Sequence, residues 1–282
     1  MSSPYTIPLL NMIFMLASGI IAIAFPILLA RYLLVKKKVK INGFFVGGLI
    51  FIVFALIMEG FVNNTLLTKL GSFSDNIVQN IWLYAIYGGL AAGIFEEFGR
   101  LVGFKLLLKK EKSRETALMY GVGHGGTEAI ILVGLTMIGY FVVSIFINMD
   151  ILSRFIPDES TLIATYDSFR AISESSSPVF LISGLERVFA ICLQIALSVI
   201  VFQAIMTKGK GYLFFIAILI HAFVDFVAVI LMNYIDMILV ETAVFVMTVA
   251  VSFFAYKLYT GMNVKAPDNT LVNDAVEPIQ ET

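Results

Sequence analysis

The chain has 282 residues, of which 59% are hydrophobic and 14% charged, and its mean hydropathy is +0.94. Soluble domains average about 25% charged residues, so this composition indicates an integral membrane protein. The net charge of −1 and the absence of a basic domain exclude a nucleic-acid-binding pattern. Cys192 is the single cysteine, which excludes an internal disulfide and a CxxC metal site.

Seven apolar segments are each long enough to cross a bilayer as a helix, which takes roughly 20 residues. They cover approximately residues 6–34, 42–63, 78–108, 116–148, 178–206, 211–231 and 237–259. The first is too long for a cleavable signal peptide, so we expect none. The sequence therefore predicts an all-α polytopic protein with one transmembrane domain, residues 1–260. The polar remainder, residues 261–282, is expected to be a disordered cytosolic tail.

The distribution of basic residues predicts the orientation of these helices. Most of the 19 lysines and arginines fall in one set of loops and in the C-terminal tail. The opposite loops contain only Lys69, Arg154 and Arg170. Because basic loops stay in the cytosol, we expect the N-terminus outside and the C-terminus inside, in the plasma membrane of the cell. The long exterior segment, residues 148–177, is expected to form a partly ordered cap or a mobile loop.

Three of the predicted spans carry ionisable residues placed four apart, and therefore on one helix face. These are Glu96 and Arg100 with Glu97 beside them, His124 and Glu128, and His221 and Asp225. Charges inside a bilayer are costly and usually functional. Both histidines of the chain belong to this set, which is more typical of a catalytic centre than of structural polarity.

The three groups also lie at a similar predicted depth. Glu97, His124 and His221 are roughly 12, 15 and 16 Å along their helices from the nearest flanking basic residue. All three fall in the cytosolic half of the membrane, where convergence would let them pair and share water. This depth favours substrate entry laterally or from the cytosolic side.

Two kinds of chemistry fit these residues. In the first, Glu96 or Glu97 is the general base on a water molecule, a histidine orients that water, and His221 and Asp225 support an oxyanion. Arg100, on the face of Glu96, would keep that carboxylate ionised or form a structural ion pair. In the second, His124 and His221 with a carboxylate bind a divalent metal such as zinc, and the other carboxylate is the base. The sequence leaves both open.

Other membrane charges are expected to be structural. Glu186 and Arg187 are predicted near the outer surface, as a structural or gating ion pair. Glu59 and Glu241, also near outer helix ends, are expected to be solvated. Glu128 is either a direct participant or a partner that orients His124.

The motifs resemble those of the CAAX-protease and bacteriocin-processing (CPBP) superfamily of intramembrane proteases, and most closely its YhfC-type branch. The superfamily pattern is a double glutamate followed by arginine, then an aromatic-x-x-x-His, then His-x-x-x-Asn/Asp. Here it reads Glu96-Glu97-Phe-Gly-Arg100, Tyr120-Gly-Val-Gly-His124 and His221-Ala-Phe-Val-Asp225. The arginine comes one residue earlier than in the commonest form, and tyrosine replaces phenylalanine. The resemblance covers roughly residues 85–230.

The resemblance implies an intramembrane endopeptidase that cleaves peptide bonds in or near the membrane. Its substrate would be a membrane-embedded or membrane-associated peptide, and family substrates include prenylated tails and bacteriocin-related peptides. The family glutamate is taken to activate water, with the histidines and the Asn/Asp supporting the oxyanion. Two other functions use the same residue types: a proton-coupled transporter, since buried Glu, His and Asp build proton relays, and a non-catalytic immunity or scaffold protein.

Overall fold

The computed structural model describes residues 3–262, and this part of the chain folds into helices without a strand. Six helices are long and apolar enough to cross a membrane, and a bent pair makes seven if it is counted as one span. The predicted all-helical polytopic fold is confirmed. The helices are α1 Leu9–Lys37, α2 Asn42–Thr68, α3 Ser72–Gln79, α4 Ile81–Leu107, α5 Glu115–Asn148, α6 Glu159–Glu174, α7 Ser177–Met206, α8 Tyr212–Leu231 and α9 Met237–Thr260. Of the predicted tail, only Gly261 and Met262 belong to the described residues.

The third predicted span begins with a sharp bend that the hydropathy pattern does not show. α3 and α4 meet at an angle of 98°. Asn80 lies between them in an extended conformation, and its side chain accepts hydrogen bonds from the backbone N–H groups of Trp82 and Leu83. An asparagine in this N-cap position starts a new helix by satisfying its first free donors. α4 therefore begins at Ile81, and the amphipathic α3 lies across its end.

α7 is the central helix of the bundle. It packs against α1, α5 and α9, and also contacts α4 and α8. Its most apolar stretch is 61% buried, whereas the corresponding stretches of the other spanning helices are 11–33% buried. Polar side chains on α7 are consequently held inside the protein rather than in lipid.

Glycines allow the helices around the site to approach closely. On α4, Gly89 and Gly93 lie against the backbone of α8 near Ala222. On α5, Gly121 and Gly125 lie against α7, and Gly123 lies against α2. Small residues at such positions let helix backbones approach to contact distance in membranes. The approach brings the ionisable residues of α4, α5 and α8 within reach of one another.

The segment predicted as a cap or mobile loop is an ordered helical cap. α6 is N-capped by Asp158, whose side chain accepts from the backbone N–H of Thr161. The buried residues Leu162, Tyr166 and Phe169 pack in one cluster with residues at the start of α1 and the end of α5. This helix covers the end of the bundle opposite the lysine-rich loops.

We expect Gly123→Ala to destabilise the protein, because the new Cβ would lie 2.0 Å from the backbone oxygen of Phe44. Overpacking of this kind costs about 1–3 kcal/mol when the surroundings can move, and backbone moves less easily than a side chain. At Gly139, on the same helix, an added Cβ would meet no atom within 4 Å. Gly139→Ala is therefore the matched control, expected to be neutral or to stabilise by roughly 0.5–1 kcal/mol. Thermal unfolding in detergent, followed by circular dichroism, checks this; equal melting temperatures for the two variants would contradict the packing argument.

Candidate active site

The structure brings all seven predicted site residues to one place, where α4, α5, α7 and α8 meet. Glu97, Arg100 and His124 have no exposed surface, and Glu96 and His221 are 7% and 3% exposed. Only Asp225 keeps substantial exposure, with 37% of its side chain accessible. The polar groups must therefore satisfy one another, since neither lipid nor bulk water reaches most of them.

Two carboxylate–histidine pairs form the centre of the site. His124 Nε2 lies 2.8 Å from Glu96 Oε2, and His221 Nδ1 lies 2.8 Å from Glu97 Oε1. Successive residues of a helix point in directions about 100° apart. The double glutamate can for this reason bind histidines from two different helices, α5 and α8.

Arg100 pairs with Glu97, one turn before it, and not with Glu96 as the four-residue spacing suggested. The two side chains are fully buried, with Arg100 Nε 3.0 Å from Glu97 Oε2. The rest of the guanidinium is turned toward α7: Nη1 donates to the backbone oxygen of Gln194 at 2.7 Å and to Ser198 Oγ at 2.5 Å. Nη2 donates to Gln194 Oε1 at 2.5 Å. Arg100 thus anchors α4 to α7 and supplies a fixed positive charge beside Glu97.

The contact with Glu97 assigns the tautomer that a neutral His221 adopts. An ionised carboxylate beside Arg100 can only accept a hydrogen bond, so in the neutral imidazole Nδ1 carries the proton. Nε2 then presents its lone pair to the centre of the site, 3.9 Å from Glu96 Oε2 and 3.6 Å from Asp225 Oδ2. Glu97 orients His221 in the way that a buried carboxylate orients a catalytic or metal-binding histidine.

Gln194 is a residue of the site that was not predicted from the sequence. Its amide Nε2 donates to Glu96 Oε2 at 2.9 Å and to Glu128 Oε2 at 3.0 Å. One signal was available: Arg187, Gln194 and Ser198 are polar residues of an apolar segment at spacings of seven and four, which places them on one helix face.

Arg187 also reaches the site. It forms the expected ion pair with Glu186, and its Nη1 donates to Glu128 Oε1 at 3.0 Å. Glu128 is consequently held between Arg187 and Gln194 and does not bind His124 directly through a hydrogen bond. Glu241, expected to be solvated, lines the same cavity as Arg187.

Glu96, His124 and Glu128 could together hold a metal ion. One ligand atom from each lies within 4.8 Å of the others, and no other such group is found among residues 3–262. The predicted metal ligands were His124, His221 and one carboxylate. In the structure the group contains two carboxylates, and Glu128 stands in place of His221. Two carboxylates and an imidazole are ligands that zinc accepts at catalytic sites.

A cavity of about 490 Å³ connects the site to one side of the protein. Its wall includes Glu96, Glu128 and His221, and it follows α8 from His221 to Met232, a distance of roughly 16 Å. Met232 is 66% exposed. The cavity therefore leads to the end of the bundle opposite the lysine-rich loops, whereas the sequence favoured lateral or cytosolic entry.

An aromatic and aliphatic cluster fills the space on the lysine-rich side of the site. The Phe104 ring lies 4.4 Å from that of Tyr120 and 5.2 Å from that of Phe202, measured between centroids. All three side chains are fully buried, and Leu213 of α8 belongs to the same cluster. This packing separates the polar site from the basic loops.

Comparison with known proteins shows the family to which this chain belongs. The model of a family described as YhfC intramembrane metalloprotease matches residues 21–247. The chain is also 33% identical over 210 residues to "Uncharacterized membrane protein YhfC" of Bacillus subtilis (strain 168), covering 74% of this chain and 81% of that relative. No solved structure matches the chain. The matched region contains all seven residues of the site, and the protein belongs to the YhfC intramembrane metalloprotease family.

Proposed function

We propose that this protein is an intramembrane endopeptidase whose water-activating centre is formed by Glu96, His124 and Glu128. The observation that carries the proposal is the meeting of two buried carboxylate–histidine pairs beside three residues that could hold a metal ion, at the inner end of a cavity of about 490 Å³. The description of the family as a metalloprotease supports the same function. Its substrate would be a membrane-embedded or membrane-associated peptide, and we place the protein in the plasma membrane.

The residues present fit a divalent metal, and zinc best. Glu96 Oε2 and His124 Nε2 lie 2.8 Å apart, and these two residues would hold the metal ion with the carboxylate ionised and the imidazole neutral. Glu128 would be the third residue to hold the metal ion, and catalytic zinc sites with three protein ligands also bind a water molecule. A bound zinc ion would lower the pKa of that water and polarise the scissile carbonyl group.

His221 is the proposed proton acceptor. When the ring is neutral, Nε2 carries the lone pair, 3.9 Å from Glu96 Oε2, and Glu97 holds the ring by accepting from Nδ1 at 2.8 Å. After taking a proton from the attacking water, the imidazolium would be stabilised by Glu97 and could return the proton to the leaving amine. In a catalytic triad, likewise, the histidine transfers the proton and a buried carboxylate orients the histidine.

Asp225 occupies the entrance to this centre. It lies 3.6 Å from His221 Nε2 and is the most exposed of the seven side chains. An acceptor at that point can hold the donor N–H of a peptide group, or the leaving amine, against His221. We assign Asp225 the positioning of substrate, and Arg100 the fixing of Glu97 rather than direct contact with substrate.

Proton-coupled transport is less well supported by the same residues. A transported species would have to pass the fully buried cluster of Phe104, Tyr120 and Phe202, which packs between the site and the basic loops. Arg100 is bound by Glu97, Gln194 and Ser198, and it does not line the cavity. A protease needs access from one side only, which is the arrangement that the cavity provides.

We expect purified wild-type protein to contain zinc in near-stoichiometric amount, and Glu96→Gln and His124→Ala to lose it. His221→Ala should keep the metal and lose proteolysis, because it removes the proton acceptor and not a ligand. Glu115→Gln, whose carboxylate binds Ser113 and Tyr259 away from the site, is the matched control. Metal is measured by plasma emission spectrometry, and proteolysis by mass spectrometry of new peptide N-termini in membranes.

Three results would contradict this assignment. Wild-type protein without metal would remove the metal centre and leave water activation to the glutamates. Metal loss in His221→Ala would restore the pair His124 and His221 as ligands. Unchanged proteolysis in Glu96→Gln and His221→Ala together would overturn the peptidase, and survival of cellular function in both would favour a scaffold.

We also expect the cavity to open on the side of α6 and away from the cytosol. In a Cys192→Ser background, Ala228→Cys lines the cavity and should react with a membrane-impermeant maleimide added to intact cells. Phe223→Cys, on the same helix and 58% exposed, but on an apolar surface outside that cavity, should not react. Lys208→Cys should react only after cells are opened. Labelling of Lys208→Cys in intact cells would reverse the orientation, and labelling of Phe223→Cys would show that α8 is surrounded by water.

A further inference from the structure

The Gln194 side chain lies between the buried cation and the two carboxylates of the proposed metal centre. Its oxygen accepts from Arg100 Nη2 at 2.5 Å, and its nitrogen donates to Glu96 Oε2 at 2.9 Å and Glu128 Oε2 at 3.0 Å. It is 4% exposed. One uncharged side chain thus contacts both carboxylate ligands and the cation behind them.

The neighbours of the amide leave it a single orientation. Arginine has only donors, so the group facing Arg100 must be the oxygen. A reversed amide would set its NH₂ against a guanidinium and its oxygen against two carboxylates, which are unfavourable contacts at each end. The assignment of O and N, often ambiguous for glutamine, is therefore settled by charge.

The amide also lets two like charges lie close together. Glu96 and Glu128 have ligand atoms within 4.8 Å of each other, at a depth where carboxylates repel strongly. The two N–H bonds of Gln194 point one at each carboxylate. Arg100 polarises the amide from its oxygen end, which strengthens both of these hydrogen bonds.

The backbone around Gln194 is fixed by the same cation. Arg100 binds the Gln194 backbone oxygen and the hydroxyl of Ser198, one turn further along α7. On the other side, Gly125 of α5 makes room for the side chain, since a Cβ there would lie 2.9 Å from Gln194 Cβ. The amide has no freedom to turn away from the carboxylates.

We propose that Gln194 is a positioning residue that sets the separation and direction of Glu96 and Glu128 for metal binding. It acts through the two ligands, by hydrogen bonds to their carboxylates, and is not itself a metal ligand. The inference rests on the proposed metal centre. It adds Gln194 on α7 to a site whose motif residues all lie on α4, α5 and α8.

The first test is zinc affinity, measured by titration of metal-depleted protein in detergent. Gln194→Met keeps the volume of the side chain and removes both hydrogen bonds to the carboxylates. We expect it to weaken zinc binding by roughly 10–100-fold, as losses of such outer partners do. Gln203→Met, a change of the same kind at a 1% exposed glutamine of the same helix, should leave the affinity unchanged.

A double-mutant cycle separates positioning from general packing. If Gln194 acts through Glu128, the effects of Gln194→Met and Glu128→Gln on zinc affinity should combine to less than their sum. Additive losses would show that Gln194 does not act through this carboxylate and would overturn the proposal.

A measurement on unaltered protein covers the case in which Gln194→Met does not fold. The chain has four glutamines, at positions 79, 194, 203 and 280, so ¹⁵N-glutamine labelling gives few side-chain amide signals. Zinc should shift the Gln194 amide signal and leave those of Gln79 and Gln203 in place. An unshifted Gln194 signal at saturating zinc would overturn the proposal.

The outcomes distinguish this inference from the proposed function. Wild-type affinity in Gln194→Met would overturn the role of Gln194 and leave the metal centre standing. Wild-type protein that binds no zinc would overturn both.

Discussion

A guanidinium buried inside a helix bundle requires partners for its charge, and Arg100 has them on two helices. Glu97 neutralises it from its own helix, while Ser198 and both oxygens of Gln194 accept its remaining hydrogen bonds from α7. Removing any partner of a buried charge leaves the others uncompensated, at a cost of about 3–5 kcal/mol for an ion pair. The rest of the site depends on this arrangement, because Glu97 orients His221 and Gln194 orients Glu96 and Glu128.

The site can be divided into two functional halves that share the double glutamate. Glu96, His124 and Glu128 form the half suited to a metal ion. Glu97 and His221 form the half suited to proton transfer. Since neighbouring residues of a helix diverge by about 100°, a single Glu-Glu dipeptide serves both halves without a loop or a second motif. The arrangement explains why the two glutamates are adjacent and why the two histidines come from different helices.

Close helix packing makes these distances possible. Gly89 and Gly93 bring α8 to α4, and Gly121 and Gly125 bring α7 to α5. A side chain at any of the four would collide with the facing helix, and at Gly89 or Gly93 it would push apart α4 and α8, which the 2.8 Å contact of Glu97 with His221 joins. In a bilayer, where burial of apolar surface does not drive helices together, this close contact is itself a main source of association. The same helix faces therefore provide both the packing and the side chains of the site.

The sequence by itself determined the membrane class, the helical spans and the seven ionisable residues that converge. The length and hydropathy of each segment determine the membrane class and the helical spans. The high cost of charge in lipid marks the seven ionisable residues as functional candidates. All of these are properties of the local chain. Only the tertiary structure decided which glutamate pairs with Arg100 and which with each histidine. Spacing along α4 favoured Glu96 for Arg100, yet the rotation of α4 against α7 gives Arg100 to Glu97 and leaves Glu96 for His124.

Gln194 and Arg187 are two residues of the site that were not recognised from the sequence. Gln194 is uncharged and lies in an apolar run, so its importance comes entirely from what the fold places around it. Arg187 is far along α7 from the basic loops and was therefore assigned to the surface, but α5 brings Glu128 to it. Register between helices depends on how many side chains pack together at once. A spacing rule within one helix contains no information about register, which is why the convergence of the seven residues was predictable and their network of hydrogen bonds was not.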